Sequence, residues 1–354
     1  MSLDNVFMGK KVVQQIYLKN ALIYQAKGWE TLPSSPQVLW NKSYGSQQNT
    51  FKDCAVDQDN NIYIAFPDWI YKISSEGILI WKNQMSGLEK ICVDQNNNIY
   101  LSQITYFEQN DNDKSVIISQ LDTNGTVINK IKVHSYFSNI VTGFTFDKDY
   151  LYVSSKASPS ANIVLFGVDK RLKNSVNLHF SGKEMDNMAT SLDSPYIYYG
   201  LDALYKIKKQ KTDVSLPIKI KDMYPINNIV IDNLGNVIFS NENDTYKYNI
   251  SSQQVTAIPI VSNAVHKSIC LDYQQNLYSL NLQLNNNPFT ANLVKLSSDG
   301  TLIYNTQVIS NDSDSGLNNG MLIADNNGNI YFAYKNKNND FLFTKIINLV
   351  KKGN

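Results

Sequence analysis

The sequence predicts an all-β fold, a seven-bladed β-propeller whose last blade is completed by a strand from near the N-terminus. Three observations predict it: a short phrase recurs seven times, a hairpin phrase follows several of its copies, and one strand that the last repeat lacks stands before the first. The composition agrees, because 43% of the 354 residues are apolar and 22 are tyrosine, a type that favours strands.

The recurring phrase is an apolar stretch, an Asp, a few turn-forming residues and a second apolar stretch that often contains Tyr. It reads AVDQDNNIY from Ala55 and CVDQNNNIY from Cys92. Its seven copies centre on Asp57, Asp94, Asp147, Asp193, Asp232, Asp272 and Asp325, at intervals of 37 to 53 residues. This is the spacing of propeller blades, and an Asp that caps its own turn accounts for every copy. Calcium loops are the alternative, but no distal bidentate Glu follows.

The second phrase carries hairpin chemistry, as in SSEGILIW from Ser74, DTNGTVI from Asp122 and SSDGTLIY from Ser297. Glycine provides the positive φ that such a tight turn needs, so each repeat is predicted to contain two hairpins, or four strands. The innermost strand of each blade is predicted to be buried on both faces. Cys54, Cys92 and Cys270 lie on these strands and are interpreted as small buried apolar residues rather than ligands or nucleophiles.

Ring closure is predicted from the two ends of the repeat region. After Asp325 only three strands remain, at about residues 321–324, 330–334 and 341–349. The segment QVLWNKSY at about residues 37–44 resembles the outer strand LIWKN at 79–83, and is predicted to supply the missing fourth strand. The propeller is therefore expected to span residues 37–354.

Residues 1–32 are organised differently and predict a small β meander with turns at residues 9–10 and 19–20. Such a module is too short to bury a core alone, so it is expected to dock on the propeller or on another subunit. Residues 33–36 contain two prolines and are predicted to form a stiff linker.

The loops at one face of the propeller are candidate ligand sites, because aromatic rings cover the apolar side of a sugar while amides bind its hydroxyls. The predicted ligand-binding residues are Tyr106, Phe107, Asn285, Phe289 and Tyr334. Solvated loops of an Asn-rich protein would have the same composition without binding a ligand, so the sequence leaves both interpretations open.

No catalytic residue, cofactor or metal is predicted. His134, His179 and His266 show no metal-ligand spacing and no nucleophile partner. An enzyme hypothesis would have to pair acids such as Asp68, Glu108, Asp186 and Glu242 as the carboxylates of a glycosidase. A net charge of +1 predicts no nucleic-acid partner, and the sequence predicts neither a signal peptide nor membrane insertion.

The phrase Asp-x-x-Asn/Gly-Asn-Ile-Tyr resembles the repeat of NHL-type propellers, over residues 37 to about 350. The Trp-Asp dipeptide of WD40 repeats, the Asp-box of sialidases and the Trp-bearing repeat of quinoprotein dehydrogenases are missing. Residues 6–24 resemble the short module that opens many tail and baseplate proteins of phages infecting Gram-positive bacteria, although Lys19 stands where that module often has Gly.

The second resemblance implies a function and a location. It implies a multi-copy or homo-oligomeric virion protein of the tail or baseplate, made in the host cytoplasm, that binds other subunits through residues 1–36. The implied anchor residues are Val6, Phe7, Ile16, Tyr17, Leu22 and Tyr24. The leading hypothesis is thus a structural or adhesion component whose propeller faces a host-surface glycan or another subunit. The alternatives are a carbohydrate-binding propeller outside any virion, and a propeller glycoside hydrolase or lyase.

Overall fold

The computed structural model contains only β-strands as regular structure in the part of the chain that it describes. The described residues are 6–8, 11–13, 15–18, 21–25, 29–31, 36–45, 51–107, 110–133, 138–157, 163–181, 186–200, 202–209, 217–223, 225–241, 243–260, 265–283, 290–310, 321–335, 341–347 and 349–351. Below residue 36, only the backbone is described. No described helix is long and apolar enough to cross a membrane.

The N-terminal strands form hairpins of their own. These strands are β1 (Val6–Met8), β2 (Lys11–Val13), β3 (Gln15–Leu18), β4 (Ala21–Gln25) and β5 (Trp29–Thr31). β1 pairs with β2 and β3 pairs with β4, so two separate hairpins lie where a single meander was predicted. The hairpin connections fall at the two predicted turns, which lie outside the described residues.

The next strand, β6 (Gln37–Gly45), is followed by seven groups of strands. The first three groups are β7 (Asp53–Val56), β8 (Ile62–Phe66), β9 (Trp69–Ile73) and β10 (Leu79–Gln84); β11 (Leu88–Val93), β12 (Ile99–Phe107), β13 (Asn110–Leu121) and β14 (Val127–Val133); and β15 (Ser138–Phe146), β16 (Tyr150–Ala157), β17 (Ile163–Asp169) and β18 (Ser175–Ser181).

The remaining groups continue the same order. They are β19 (Asp186–Ala189), β20 (Tyr196–Gly200), β21 (Ala203–Lys208) and β22 (Ile218–Asp222); β23 (Asn228–Ile231), β24 (Val237–Ser240), β25 (Thr245–Tyr248) and β26 (Val255–Ile258); β27 (Val265–Leu271), β28 (Leu277–Gln283), β29 (Thr290–Leu296) and β30 (Leu302–Ser310); and β31 (Met321–Ala324), β32 (Ile330–Lys335) and β33 (Phe341–Ile347). A last strand, β34 (Leu349–Lys351), pairs with β5.

Each of the first six groups forms one antiparallel four-stranded sheet, and the seventh forms one together with β6. These sheets are called blades 1 to 7 in chain order. The first strands of successive blades contact each other in turn, and the first strand of blade 7 contacts that of blade 1. The sheets therefore close into a ring, and the predicted seven-bladed propeller is confirmed.

β6 completes blade 7, as predicted, by pairing with β33. Trp40 lies opposite Lys345 in this pairing, and its ring lies 6.0 Å from that of Tyr331 and 6.3 Å from that of Phe343. The closure thus combines a hydrogen-bonded ladder with aromatic packing, and it leaves β33 with no open edge.

The core lies between neighbouring sheets, and the second strand of each blade is its most buried part. Every residue of β8 and of β24 is buried. The prediction that the innermost strand is buried on both faces is wrong: Val56 of β7 is only half-buried, and Leu192, which was predicted on the innermost strand of blade 4, lies beyond the end of β19 and is 45% exposed. The physical reason is that the first strand is the inner edge of its sheet and lines the centre of the ring, where its side chains border the open centre as well as the neighbouring first strands.

Side-chain hydrogen bonds to the hairpin turns connect neighbouring blades. The predicted hairpin glycines Gly77, Gly125 and Gly300 have φ between 73° and 90°. The indole nitrogen of Trp81 in blade 1 donates to the carbonyl of Thr123 in the hairpin turn of blade 2, at 3.0 Å. Trp40 of blade 7 does the same to Ser75 of blade 1, at 3.4 Å. These contacts repeat from blade to blade because they use the same positions of the repeat.

The cysteine interpretation is confirmed. Cys54, Cys92 and Cys270 are buried free thiols, and burial raises the pKa of each well above its ordinary value. Reactive thiols need the opposite environment, one that stabilises the thiolate.

Candidate functional site

The predicted ligand-binding loops are only partly described. Tyr106 and Phe107 lie at the end of β12, opposite Lys114 and Asn110, and their side chains are not described. Asn285 and Phe289 lie outside the described residues. Tyr334, in β32, stacks on Phe332 at 5.6 Å, and its hydroxyl accepts a hydrogen bond from the Asn41 amide at 2.9 Å. A ligand site in these loops stays a prediction.

The predicted anchor residues lie on the two N-terminal hairpins. Val6 and Phe7 are on β1, Ile16 and Tyr17 on β3, and Leu22 and Tyr24 on β4. Ile16 pairs with Tyr24 and Tyr17 with Leu22, so the second hairpin brings four of the six together. Their role as an anchor stays a prediction.

The acids of the enzyme hypothesis do not form a described pair. Asp68 is an exposed residue in the β8–β9 turn, and Asp186 opens β19 opposite Gly200. Glu108 and Glu242 lie outside the described residues. Within the described part of the chain, no group of three or more His, Cys, Asp or Glu residues is arranged to hold a metal ion.

The recurrent Asp is a buried turn cap in six of the seven blades. In blade 1, one oxygen of Asp57 accepts the backbone N–H groups of Asp59 and Asn61, at 2.9 and 2.8 Å. The other accepts the Asn61 side-chain amide at 2.9 Å and the Tyr63 hydroxyl at 3.1 Å. Since donors surround this carboxylate, capping rather than calcium binding explains it.

A lysine completes this network in several blades. In blade 1, Lys72 faces Tyr63 across the sheet, and its ammonium nitrogen lies 3.7 Å from Asp57 and 5.1 Å from the centre of the Tyr63 ring. Lys295 has the same relation to Asp272 and Tyr278 in blade 6. The buried carboxylate is thus both hydrogen-bonded and paired with a cation, as burial of a charge requires.

Blade 4 breaks the pattern. Asp193 is exposed, so the prediction that all seven Asp residues cap their turns is wrong for this copy. Ser194 takes over the turn, because its hydroxyl accepts the N–H of Tyr196 and donates to the carbonyl of the same residue, both at 3.1 Å. A serine one position later serves as a shorter local cap, which leaves Asp193 free to face solvent.

Blades 2 and 3 keep the Asp but take the cation from the next blade. Gln120 stands opposite Tyr100 where blade 1 has Lys72, and Gly167 stands opposite Tyr152. Lys170 of blade 3 reaches back to Asp94 of blade 2 at 3.2 Å. Lys209 of blade 4 likewise reaches Asp147 of blade 3 at 3.0 Å.

The shift in blade 2 coincides with a cleft of about 520 Å³ between blades 2 and 3. It lies on the face that carries the turns between the first and second and between the third and fourth strands. The lining residues are Asp94, Asn96, Asn98, Tyr100, Gln120, Asn129, Lys148, Lys170, Arg171 and Lys173. Tyr334, the predicted ligand-binding residue whose side chain is described, is not among them.

The acidic wall of the cleft is electrostatically satisfied. Asp94 is held by Lys170, by the amide of Asn98 at 3.1 Å and by the backbone N–H groups of Asn96 and Asn98. Burial raises the pKa of Asp94, but these hydrogen bonds and the charge of Lys170 outweigh it, so the pKa lies below its ordinary value. The carboxylate is therefore ionised at neutral pH and already balanced.

The basic wall is not balanced in the same way. The side chains of Lys148, Arg171 and Lys173 are exposed, and no described carboxylate lies within ion-pair distance of them. Asp169, whose pKa Arg171 helps to lower, uses its oxygens on the N–H of Lys173 and the amide of Asn174. The cleft thus presents three free cations in a protein whose net charge is only +1.

The described residues that line the cleft include no cysteine, histidine or serine, and their single carboxylate, that of Asp94, is already hydrogen-bonded and ion-paired. The sequence signals of the cleft are the run KRLK at residues 170–173 and the Gln at position 120, where five other blades have Lys at the matching register. Both signals are present in the sequence when its repeats are compared with one another.

Comparison with known proteins supports the fold and nothing finer. No known family model matches the chain, and no curated protein sequence matches it. Among solved structures, the WD40 β-propeller domain of Doa1 is similar, with a TM-score of 0.63 and 12% sequence identity over 91% of this chain and 97% of that chain. At this identity the likeness shows a shared seven-bladed β-propeller architecture, not a shared function.

Proposed function

We propose that the chain is a non-catalytic structural or adhesion component of a bacteriophage tail or baseplate, or of a phage-derived particle. In this proposal, residues 1–36 attach the protein to other subunits of the assembly, in several copies. The propeller is exposed and contacts the host surface or a further subunit.

The observation that carries the proposal is that β1 to β4 belong to none of the seven blades. The ring closes with its own strand β6, so the two hairpins are not needed to complete it. Two-stranded hairpins are at best marginally stable alone, which favours a partner surface that stabilises them. The pairing of β5 with β34 attaches this segment to the end of blade 7.

The test is a truncated chain that lacks residues 1–28 and therefore keeps β5 and β6. We expect it to fold with an unchanged unfolding midpoint but to be missing from particles assembled from the genome that encodes the chain. Circular dichroism measures folding, and quantitative mass spectrometry of purified particles measures incorporation. Incorporation equal to that of the full-length chain would contradict the proposal.

A second truncation serves as the matched control. A chain that lacks residues 1–45 also loses β6, which leaves the β33 edge unpaired and removes Trp40 from its contacts with Tyr331 and Phe343. This chain should be unfolded or aggregated. The contrast separates loss of attachment from loss of the fold.

A further inference from the structure

We propose that the cleft between blades 2 and 3 binds an anionic saccharide, through a carboxylate or phosphate group held by Lys148, Arg171 and Lys173. This deepens the proposed function, because it names the chemical class of surface that the exposed propeller would contact. It also moves the contact to the propeller face opposite to the predicted loops.

The cations are held in place by the fold. The turn that carries Arg171 and Lys173 is fixed at Leu172, a buried residue with φ of 54° whose side chain packs in the core between blades 2 and 3, while Lys148 lies in the β15–β16 turn. On one side, the carbonyl of Arg171 accepts the Asn129 amide at 2.6 Å. On the other, Lys170 is paired with Asp94. A preorganised cation cluster binds an anion without a further ordering cost to its backbone.

Tyr100 supplies an independent observation. The matching tyrosines of blades 1, 6 and 7 donate their hydroxyl to the Asp of their own turn. Tyr100 is only 1% exposed and lines the cleft, yet its hydroxyl has no hydrogen-bond partner among the described residues. Burial and the charge of Asp94 raise the pKa of this hydroxyl, so it stays protonated and can donate to an anion.

The rest of the lining favours a saccharide as the carrier of the anion. Asn96, Asn98, Gln120 and Asn129 add four amide side chains to the lining. The amides of Asn98, Gln120 and Asn129 already donate within the cleft, to Asp94, Asn98 and Arg171, and this leaves the Asn96 amide and the Gln120 side-chain oxygen for hydroxyl groups. Among the described lining residues Tyr100 is the only aromatic one, and its ring is buried. Single-stranded nucleic acid requires exposed rings on which its bases stack, and the described lining offers none.

The experiment measures binding to the full-length chain by isothermal titration calorimetry. The charged probes are a short oligogalacturonate, which carries carboxylates, and mannose 6-phosphate. The neutral probes are the fully methyl-esterified oligogalacturonate and mannose. Oligothymidylate tests the nucleic-acid alternative. We expect at least one charged probe to bind, more weakly at high salt, while the neutral probes and oligothymidylate do not.

The variant K148Q/R171Q/K173Q should weaken binding of the charged probe by about tenfold or more, because each lost cation removes a charge-assisted hydrogen bond. The matched control K130Q/K208Q/K219Q removes three exposed cations from blades 2 and 4 outside the cleft and should leave the affinity unchanged. Tyr100→Phe, which keeps the ring, should weaken binding several-fold. All three variants should keep the unfolding midpoint of the wild type to within a few degrees.

Three results would overturn the inference: no binding of either charged probe, an equal loss in both triple variants, or tighter binding of oligothymidylate than of the charged sugars. Failure here is distinguishable from failure of the proposed function. K148Q/R171Q/K173Q should still enter particles as the wild type does, since it keeps residues 1–36.

Discussion

Blades 1 and 2 share almost the same turn sequence, yet they differ in where the cation comes from. In blade 1, Lys72 lies in the same sheet as Asp57. In blade 2, the same register holds Gln120, and Lys170 of blade 3 supplies the charge to Asp94. The repeat therefore preserves the pairing of a buried carboxylate with a cation rather than the position of the lysine. Taking the cation from the next blade coincides with an open cleft at that boundary.

Blade 4 lacks the buried carboxylate, because Asp193 is exposed. Lys206 is retained, but with Asp193 in solvent it lies over the rings of Tyr196 and Tyr248, at 4.9 and 5.7 Å. The hydroxyl of Tyr198, which has no Asp to donate to, lacks a hydrogen-bond partner among the described residues. A blade can thus lose the carboxylate and keep its fold, because sheet pairing and aromatic packing do not depend on it.

The largest effect is expected from removing a buried cap. Asp325→Ala leaves four donors of blade 7 unsatisfied, two backbone N–H groups, the Asn329 amide and the Tyr331 hydroxyl. It should lower the free energy of unfolding by about 3–5 kcal/mol. Asp193→Ala should change it by no more than about 0.5 kcal/mol. Urea unfolding measures both changes in free energy. Similar losses for the two variants would contradict the prediction, because Asp193 would then stabilise the fold as much as the buried Asp325 does.

A smaller effect is expected from the cation that crosses between blades. Lys170→Met leaves Asp94 buried without its partner and should cost about 2–3 kcal/mol. Gln120→Lys places a lysine where blade 1 has one and should restore part of this loss in the double variant. A double-mutant cycle from urea unfolding measures the coupling. Additive effects would mean that a lysine at position 120 cannot replace Lys170 as the partner of Asp94.

The smallest effects are expected from the tyrosine hydroxyls. Tyr331→Phe removes a 2.9 Å hydrogen bond to Asp325 and should cost about 1 kcal/mol. Tyr198→Phe removes a hydroxyl that has no partner and should be neutral or slightly stabilising. Thermal unfolding of the two variants measures the difference. A larger loss of stability for Tyr198→Phe than for Tyr331→Phe would contradict this prediction, because the Tyr198 hydroxyl would then stabilise the fold.

Most of the ring could be predicted because its signals are local. The turn glycines, the repeated Asp and the unmatched strand around Trp40 lie within a few residues of the structure that they specify. The burial of the innermost strands could not be predicted in the same way. An apolar residue such as Val56 fits both a strand in the middle of a sheet and a strand at its inner edge, and only the position of the strand beside the open centre of the ring decides its exposure.

The candidate site was missed for a related reason. Lys170 and Asp94 are 76 residues apart, and each looks like an ordinary member of its own turn. The predicted ligand-binding loops are those with aromatic and amide residues, whereas Lys148, Arg171 and Lys173 lie on the other face. At Gln120, the substitution of a repeat position marks the blade boundary at which the cleft lies.

The sequence by itself determined the strands, the number of blades and the strand that closes the ring, because hydrophobic alternation, turn chemistry and repetition act over short distances. Only the tertiary structure decided which blade supplies a cation to which carboxylate, and therefore where three cations stay unpaired. Buried charges are satisfied by whatever group lies near them in space, and side chains that meet across a blade boundary leave no local pattern in the chain.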